Sequence, residues 1–199
     1  IEYIGLFLAF THTHFDHFLA FIIIILFTIL VVSYLNKNNK YALAIGRLEQ
    51  VKGFDLLIPA WKKINKELLI VGSGKEKNKL LSLIKNNNLT KKIKIIDNVN
   101  KDELYEIYRD AALLIISSRY EGGPRVALEA LHLEIPVIST NVGHMDEILP
   151  KELLAKKDDQ QSLKDLLEKY VASQIQNQNQ NLFLPFYSNK SIGHLVSPP

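Results

Sequence analysis

Short apolar runs alternate with amphipathic stretches from residue 41 to about residue 172. The apolar runs predict buried strands at Tyr41–Ile45, Glu67–Val71, Ile93–Ile96, Ala112–Ile116 and Pro136–Thr140. Apolar residues at helical spacing predict helices over Phe54–Ile64, Leu80–Leu89, Asp102–Tyr108 and Arg125–Leu133, and a last helix that closes with Lys164–Val171. Strands that are apolar throughout and separated by helices are typical of a parallel sheet covered on both faces. The pattern therefore predicts a Rossmann-like α/β domain over residues 41–172.

An uncharged apolar run, residues 18–35, lies within the segment 1–40 that precedes this domain. As a helix it would extend about 27 Å, close to the thickness of the hydrocarbon core of a bilayer. The basic segment Asn36–Lys40 follows it, which would place the domain on the cytoplasmic side of a membrane. We therefore predict a membrane-associated apolar helix. The alternatives are a buried segment of another domain and a segment that no longer folds. A cleaved signal peptide is disfavoured, because no small-residue cleavage site follows the apolar run.

Composition narrows the choice of partners and compartment. Lys and Arg are interspersed with Asp and Glu and the formal net charge is only +3, so nothing points to nucleic-acid binding. The chain has no cysteine, which excludes disulfides and thiolate metal sites and favours the cytoplasm. Residues 173–199 begin with a Gln/Asn-rich tract, for which we predict a linker and an irregular tail. Because the chain begins with Ile1 and its single methionine is Met145, we interpret it as a fragment.

Glycines and cations follow the first two predicted strands, where a doubly wound sheet places its ligand. Arg47 and Lys52 lie on a loop that starts at Gly46, and two cations at this spacing suit a diphosphate. A solvated surface loop is the alternative. Gly72 and Gly74 end the second strand and would let the backbone approach a ligand, although glycines at a strand end also serve ordinary turns.

The segment after the fourth predicted strand is the most informative. Ser118 and Glu121 precede the glycine pair Gly122 and Gly123, and the following proline fits the first position of a helix whose N-terminus favours an anion. Glu129 lies eight residues after Glu121. Carboxylates beside an anion site suit the hydroxyls of a ribose and a sugar. Alternatively, one glutamate complements the helix dipole and the other is an ordinary exposed residue.

In order, these segments resemble the C-terminal donor-binding domain of the family-four retaining glycosyltransferases, which have the GT-B fold. The resemblance rests on Gly46–Leu48, Lys52–Gly53, Val71–Gly74, Ser118–Ala130, Ile135–Ile138 and Gly143–Glu147. It implies transfer of a sugar from a UDP- or GDP-sugar to a glycan or lipid-linked acceptor in glycan biosynthesis, with no cofactor and no required metal. Arg47 and Lys52 would neutralise the diphosphate, Glu121 would contact the donor sugar, and Glu129 would contact the ribose. The loop Asn141–Glu147 is expected to close the sugar end.

The resemblance sorts the candidate residues into two groups. We predict Arg47, Lys52 and Glu121 as catalytic residues. The predicted donor-binding residues are Gly46, Gly72, Gly74, Ser118, Gly122, Gly123 and Glu129.

The acceptor-binding half of such an enzyme has no counterpart in this sequence, because residues 1–40 are too few and too apolar to form it. Transfer by this chain alone is therefore in doubt, and a separate N-terminal domain chain is a candidate partner. The alternative is a non-catalytic or split-gene remnant that binds a nucleotide sugar or a partner domain. We expect the protein to be cytoplasmic, at the inner face of a membrane.

A second motif, Thr11–His17, resembles the metal-binding loop of metallo-β-lactamase-fold hydrolases. That fold needs further ligands on later strands, and the remaining histidines are His132, His144 and His194. The first two of these lie inside the glycosyltransferase-like pattern. We therefore regard the motif as coincidental and predict no metal site.

Overall fold

The computed structural model describes residues 20–28, 40–97, 99–123 and 125–177, with the backbone alone for 174–177. Its strands are β1 (Tyr41–Ile45), β2 (Glu67–Val71), β3 (Ile93–Ile96), β4 (Ala111–Ile116), β5 (Val137–Thr140) and β6 (Leu154–Ala155). They form one six-stranded sheet in the order β3-β2-β1-β4-β5-β6, and every neighbouring pair is parallel. The predicted Rossmann-like fold is confirmed. Strand β6 was not predicted, because two residues are too few for a periodic signal.

The helices are α1 (residues 20–28), α2 (Phe54–Ala60), α3 (Lys77–Asn86), α4 (Lys101–Arg109), α5 (Arg125–His132), α6 (Met145–Ile148) and α7 (Gln160–Asn177). Short 3-10 turns lie at Gln50–Lys52, Trp61–Lys63 and Lys151–Leu153. Helix α1 belongs to a unit, Ile1–Asn38, that is separate from the unit containing the sheet. The rest of the predicted apolar helix 18–35 lies outside the described residues. Within the described ranges, no helix combines the length and the apolar character needed to cross a membrane.

Several helix boundaries differ from the sequence prediction, and three of these differences have a clear physical reason. Helix α2 ends at Ala60, because Pro59 removes a backbone donor and the chain then tightens into the 3-10 turn. Helix α3 begins at Lys77, three residues before the predicted start, since its polar first turn lies outside the apolar period. Helix α7 continues through Asn177, so the linker predicted from residue 173 is wrong for 173–177. An apolar stripe on α7 anchors it, and further turns add one hydrogen bond per residue.

The sheet separates two apolar layers, and this explains why its strands are apolar throughout. Side chains of α2, α3 and α7 share one layer with alternate strand residues such as Ala42 and Ala44. Side chains of α4, α5 and α6 share the other layer with Leu43. Successive strands extend from β1 toward β3 on one side and from β4 toward β6 on the other. The loops after β1 and β4 therefore diverge, and the crevice between them is where this fold places a ligand.

Candidate functional site

The loops after β1 and β4 are fastened to each other at the carboxyl edge of the sheet. The Arg119 amide donates to the Val51 carbonyl at 2.7 Å, and the Ser117 hydroxyl donates to the Lys52 carbonyl at 2.9 Å. Gly53 has φ 63°, and a Cβ on it would lie 2.0 Å from the Ser117 carbonyl oxygen. Only glycine fits there. The backbone of Lys52 is therefore held in place from the β4 side.

Lys52 and Glu121 form a partly buried ion pair in this crevice. The Lys52 Nζ donates to Glu121 Oε1 at 2.7 Å and to Oε2 at 2.9 Å. The side chains are 18% and 15% exposed, so water screens the pair only weakly. The Ser118 hydroxyl donates to the same Oε1 at 2.6 Å. The structure therefore brings together Lys52, Glu121 and Ser118, which we call the crevice cluster.

Strand β5 and the loop after it support the crevice cluster from behind. The Thr140 hydroxyl donates to the Ser118 carbonyl at 2.6 Å. Gly143 has φ 58°, and a Cβ on it would lie 2.8 Å from the Glu121 carbonyl oxygen. The loop Asn141–Glu147, predicted to close the sugar end, thus packs directly on Glu121.

The predicted donor-binding glycines after β1 and β2 make close contacts within the protein. A Cβ on Gly72 would lie 1.9 Å from the Gly46 carbonyl oxygen, and one on Gly74 would lie 2.6 Å from that of Leu48. A Cβ on Gly46 would lie 3.2 Å from the Cδ and Cε of Lys52, so this glycine leaves room for the lysine stem. These glycines shape the loop that carries Lys52, and their contact with a donor stays a prediction.

Gly122 and Gly123 face open space. Both are exposed, and among the described residues no atom lies within 4 Å of a Cβ added to either one. The proline that follows them lies outside the described residues. The loop in front of α5 is thus exposed at its two glycines, and their contact with a donor stays a prediction.

Two of the four residues predicted to share a pocket have other partners in the described structure. Arg47 is 73% exposed, and its Nη1 donates to Glu49 Oε1 at 3.0 Å. Glu129 on α5 accepts a hydrogen bond at Oε2 from the hydroxyl of Tyr108 on α4, at 2.9 Å. Lys52 and Glu121 are in direct contact, and that they share a site for a bound donor stays a prediction. Among the described residues, neither Arg47 nor Glu129 is hydrogen-bonded to either of them.

Arg119 has a role that the sequence did not indicate. Its guanidinium donates to both Asp55 carboxylate oxygens at 2.7 and 2.9 Å, to Asp158 at 2.6 Å, and to the Gln50 carbonyl at 2.8 Å. Burial alone would raise the pKa of Asp55, but the hydrogen bonds and the charge of Arg119 outweigh burial and lower it. Arg119 thus joins the β4 loop to the start of α2 and to the segment before α7. The sequence places Arg119 within the glycosyltransferase-like segment, but it does not predict that Asp55 and Asp158, which are distant in the chain, are its partners.

Tyr108 was not predicted as a functional residue either, because its position fits the apolar face of α4. It is only 4% exposed, and burial, with the hydrogen bond to and charge of Glu129, raises its pKa.

The described residues contain no group of three or more His, Asp or Glu arranged to hold a metal ion. The motif Thr11–His17 lies outside the described residues.

Comparison with known proteins identifies the family of this chain and supports its fold. Residues 29–182 match the profile of the family described as Glycosyl transferases group 1. The amylovoran biosynthesis glycosyltransferase of Erwinia amylovora is 40% identical over 106 residues, which are 52% of this chain and 29% of that protein. The chain therefore spans under a third of that relative.

Solved structures agree with the sequence similarity. The C-terminal domain of a glycosyl transferase group 1 family protein from Francisella tularensis has a TM-score of 0.61 and 26% identity, over 67% of this chain and 76% of that one. The Anabaena protein HepE, solved with UDP and glucose, has a TM-score of 0.62 and 19% identity, over 73% of this chain and 42% of that one. The second likeness concerns the fold alone.

Proposed function

The chain belongs to the group 1 glycosyl transferases, and from that premise we propose that its α/β domain binds the UDP- or GDP-sugar donor of a retaining glycosyltransferase. One observation supports the donor site above the others. The crevice cluster places a cation and a carboxylate side by side at the point where the strand order reverses. A sugar diphosphate presents an anion that suits the cation and hydroxyls that suit the carboxylate, so one ligand offers partners to both groups.

Lys52 has the chemistry needed for departure of the nucleotide. As the bond from the anomeric carbon to the diphosphate breaks, negative charge builds up on the leaving phosphate. A preorganised ammonium stabilises that charge more in the transition state than in the ground state. The donor would displace Glu121 from Lys52, and Glu121 would then accept hydrogen bonds from the sugar. The Arg47 side chain is 73% exposed and would add a second cation on the diphosphate.

The acceptor and the cellular location are further parts of the proposal. A glycan or lipid-linked acceptor would be bound by an acceptor-binding domain, supplied by a separate N-terminal chain or by the remainder of a longer enzyme. The protein would act in the cytoplasm at the inner face of a membrane. Exposed apolar side chains on α1, among them Phe21 at 61% and Phe27 at 65% exposure, support membrane association.

The donor site is tested by thermal unfolding and calorimetry of the chain with UDP, GDP and their sugar conjugates. A ligand that binds only the folded state raises the midpoint of thermal unfolding. At a concentration 100 times its Kd it adds about 2.7 kcal/mol to the free energy of unfolding. Replacement of Lys52 by alanine should weaken binding of the matching nucleotide at least about tenfold, since a charge-assisted contact is lost.

The matched control is Lys40→Ala. Lys40 also pairs with a carboxylate, Asp110, at 2.8 Å, but it precedes β1 and so lies at the opposite edge of the sheet. Its replacement should leave nucleotide affinity unchanged. If no nucleotide shifts the midpoint of the unmodified chain, or if both lysine variants bind equally well, the donor site is misplaced. Binding without transfer, measured in the presence of an acceptor-binding domain and an acceptor, would instead favour a non-catalytic nucleotide-sugar-binding module.

A further inference from the structure

A buried hydroxyl fixes the carboxylate that the proposed donor site assigns to the ribose. Tyr108 on α4 is 4% exposed and belongs to the apolar layer beneath α4, α5 and α6. Its hydroxyl donates to Glu129 Oε2 at 2.9 Å, across from α4 to α5. A buried phenol without a partner is costly, and phenylalanine would fill the same apolar space without that cost. The hydroxyl therefore has a purpose beyond packing.

Glu129, unlike the buried Tyr108, is exposed to solvent. A free glutamate side chain loses rotamer freedom when a ligand orders it, and this weakens binding. The Tyr108 hydroxyl orders one oxygen before any ligand arrives, and Oε1 has no hydrogen-bond partner among the described residues. A carboxylate has about four acceptor positions, so two neighbouring hydroxyls of a ligand still find sites on it.

We propose that Tyr108 is a positioning residue that holds Glu129 so that its free oxygen accepts hydrogen bonds from the ribose hydroxyls of a nucleoside diphosphate. This inference rests on the proposed function. The Tyr108 hydroxyl is always available as a hydrogen-bond donor, because burial and the neighbouring carboxylate both keep the phenol protonated. Preorganisation of this kind increases affinity by lowering the ordering cost on binding.

The alternative role for the same hydrogen bond is purely structural: it would stabilise the packing of α4 against α5. The two roles differ in how they depend on the ligand. A structural bond supports every ligand of the domain equally, whereas a positioning residue acts only on ligands that carry the ribose hydroxyls.

The test compares a nucleoside diphosphate with its 2′,3′-dideoxy analogue by calorimetry, using whichever of UDP and GDP the chain binds. The unmodified chain should bind the natural diphosphate about tenfold more tightly than the dideoxy analogue. In Tyr108→Phe that preference should fall to about two- or threefold, with the affinity for the dideoxy analogue unchanged. The control Tyr105→Phe, on the same helix but 53% exposed, should keep the full preference.

Glu129→Ala gives a second, independent measurement. It should remove the preference for the ribose hydroxyls, and adding Tyr108→Phe to it should cause no further loss for the natural diphosphate, because the two residues act as one unit. Equal losses for both ligands in Tyr108→Phe would overturn the positioning role, as would an unmodified chain that binds without preferring the ribose hydroxyls. Failure of the unmodified chain to bind either nucleotide would overturn the proposed function itself.

Discussion

Glu121→Gln should strengthen the binding of a nucleoside diphosphate that carries no sugar. Both carboxylate oxygens of Glu121 accept hydrogen bonds from the Lys52 ammonium, at 2.7 and 2.9 Å. A phosphate has to displace this carboxylate before it reaches the lysine. Glutamine keeps the shape of the side chain but competes as a neutral group, so the cost of displacement falls.

The magnitude follows from the burial and the number of contacts. Both side chains are less than a fifth exposed, and hydrogen bonds to charged groups contribute about 1.5–3 kcal/mol each; glutamine keeps at most one of the two, through its amide oxygen. The difference, together with the lost repulsion between carboxylate and phosphate, is at least about 1.4 kcal/mol, which corresponds to a tenfold tighter Kd.

The assay is calorimetric titration of UDP and GDP, and of the matching sugar nucleotide, into both proteins. The gain should be about tenfold for the diphosphate and smaller for the sugar nucleotide, which loses its contact with the carboxylate. The control is Glu49→Gln, because Glu49 pairs with Arg47, whose side chain is 73% exposed. Exposed pairs contribute about 0–1 kcal/mol, so this control should change affinity only slightly. An unchanged or weaker affinity in Glu121→Gln would refute the competition between carboxylate and phosphate.

Three further outcomes concern the support of the site. Arg119→Ala should lower the free energy of unfolding by about 3–5 kcal/mol in denaturant titration, since the partly buried carboxylate of Asp55 loses its partner, whereas Arg109→Ala, from an exposed pair, should change it by less than about 1 kcal/mol. The lowered pKa of Asp55 adds stability above its unfolded pKa, and this contribution is lost as pH falls through the folded pKa. Asp55→Asn should flatten that part of the acid unfolding curve. Gly53→Ala should cost more than about 2 kcal/mol, and an equal effect in Gly123→Ala would contradict the close contact at Gly53.

The fold was predictable wherever a segment is apolar and long enough to be periodic. Strands β1 to β5 fall within one residue of their predicted bounds, because burial on both faces of a parallel sheet demands apolar residues throughout. The start of α3 was missed because its first turn is polar, and β6 because two residues carry no pattern. The extension of α7 depends on packing, which local composition does not report.

The candidate site was predictable to the extent that topology determines it. The first and fourth strands are neighbours in this fold, so the loops that carry Lys52 and Glu121 lie close together although they are distant in sequence. The partner of Glu129 depends on how α4 packs against α5, and the partner of Arg47 depends on side-chain rotamers. Neither is encoded in motif spacing, which is why Tyr108 and Glu49 were not anticipated.

The sheet also ends in a way that bears on how the protein behaves at high concentration. One outer strand, β6, is two residues long, and the other, β3, carries Lys94 with a side chain 64% exposed. Short outer strands and an outward lysine offer an incoming chain few free backbone groups and a charge to desolvate. Edge-to-edge stacking of copies is thereby discouraged, and the described domain has its own protection against aggregation.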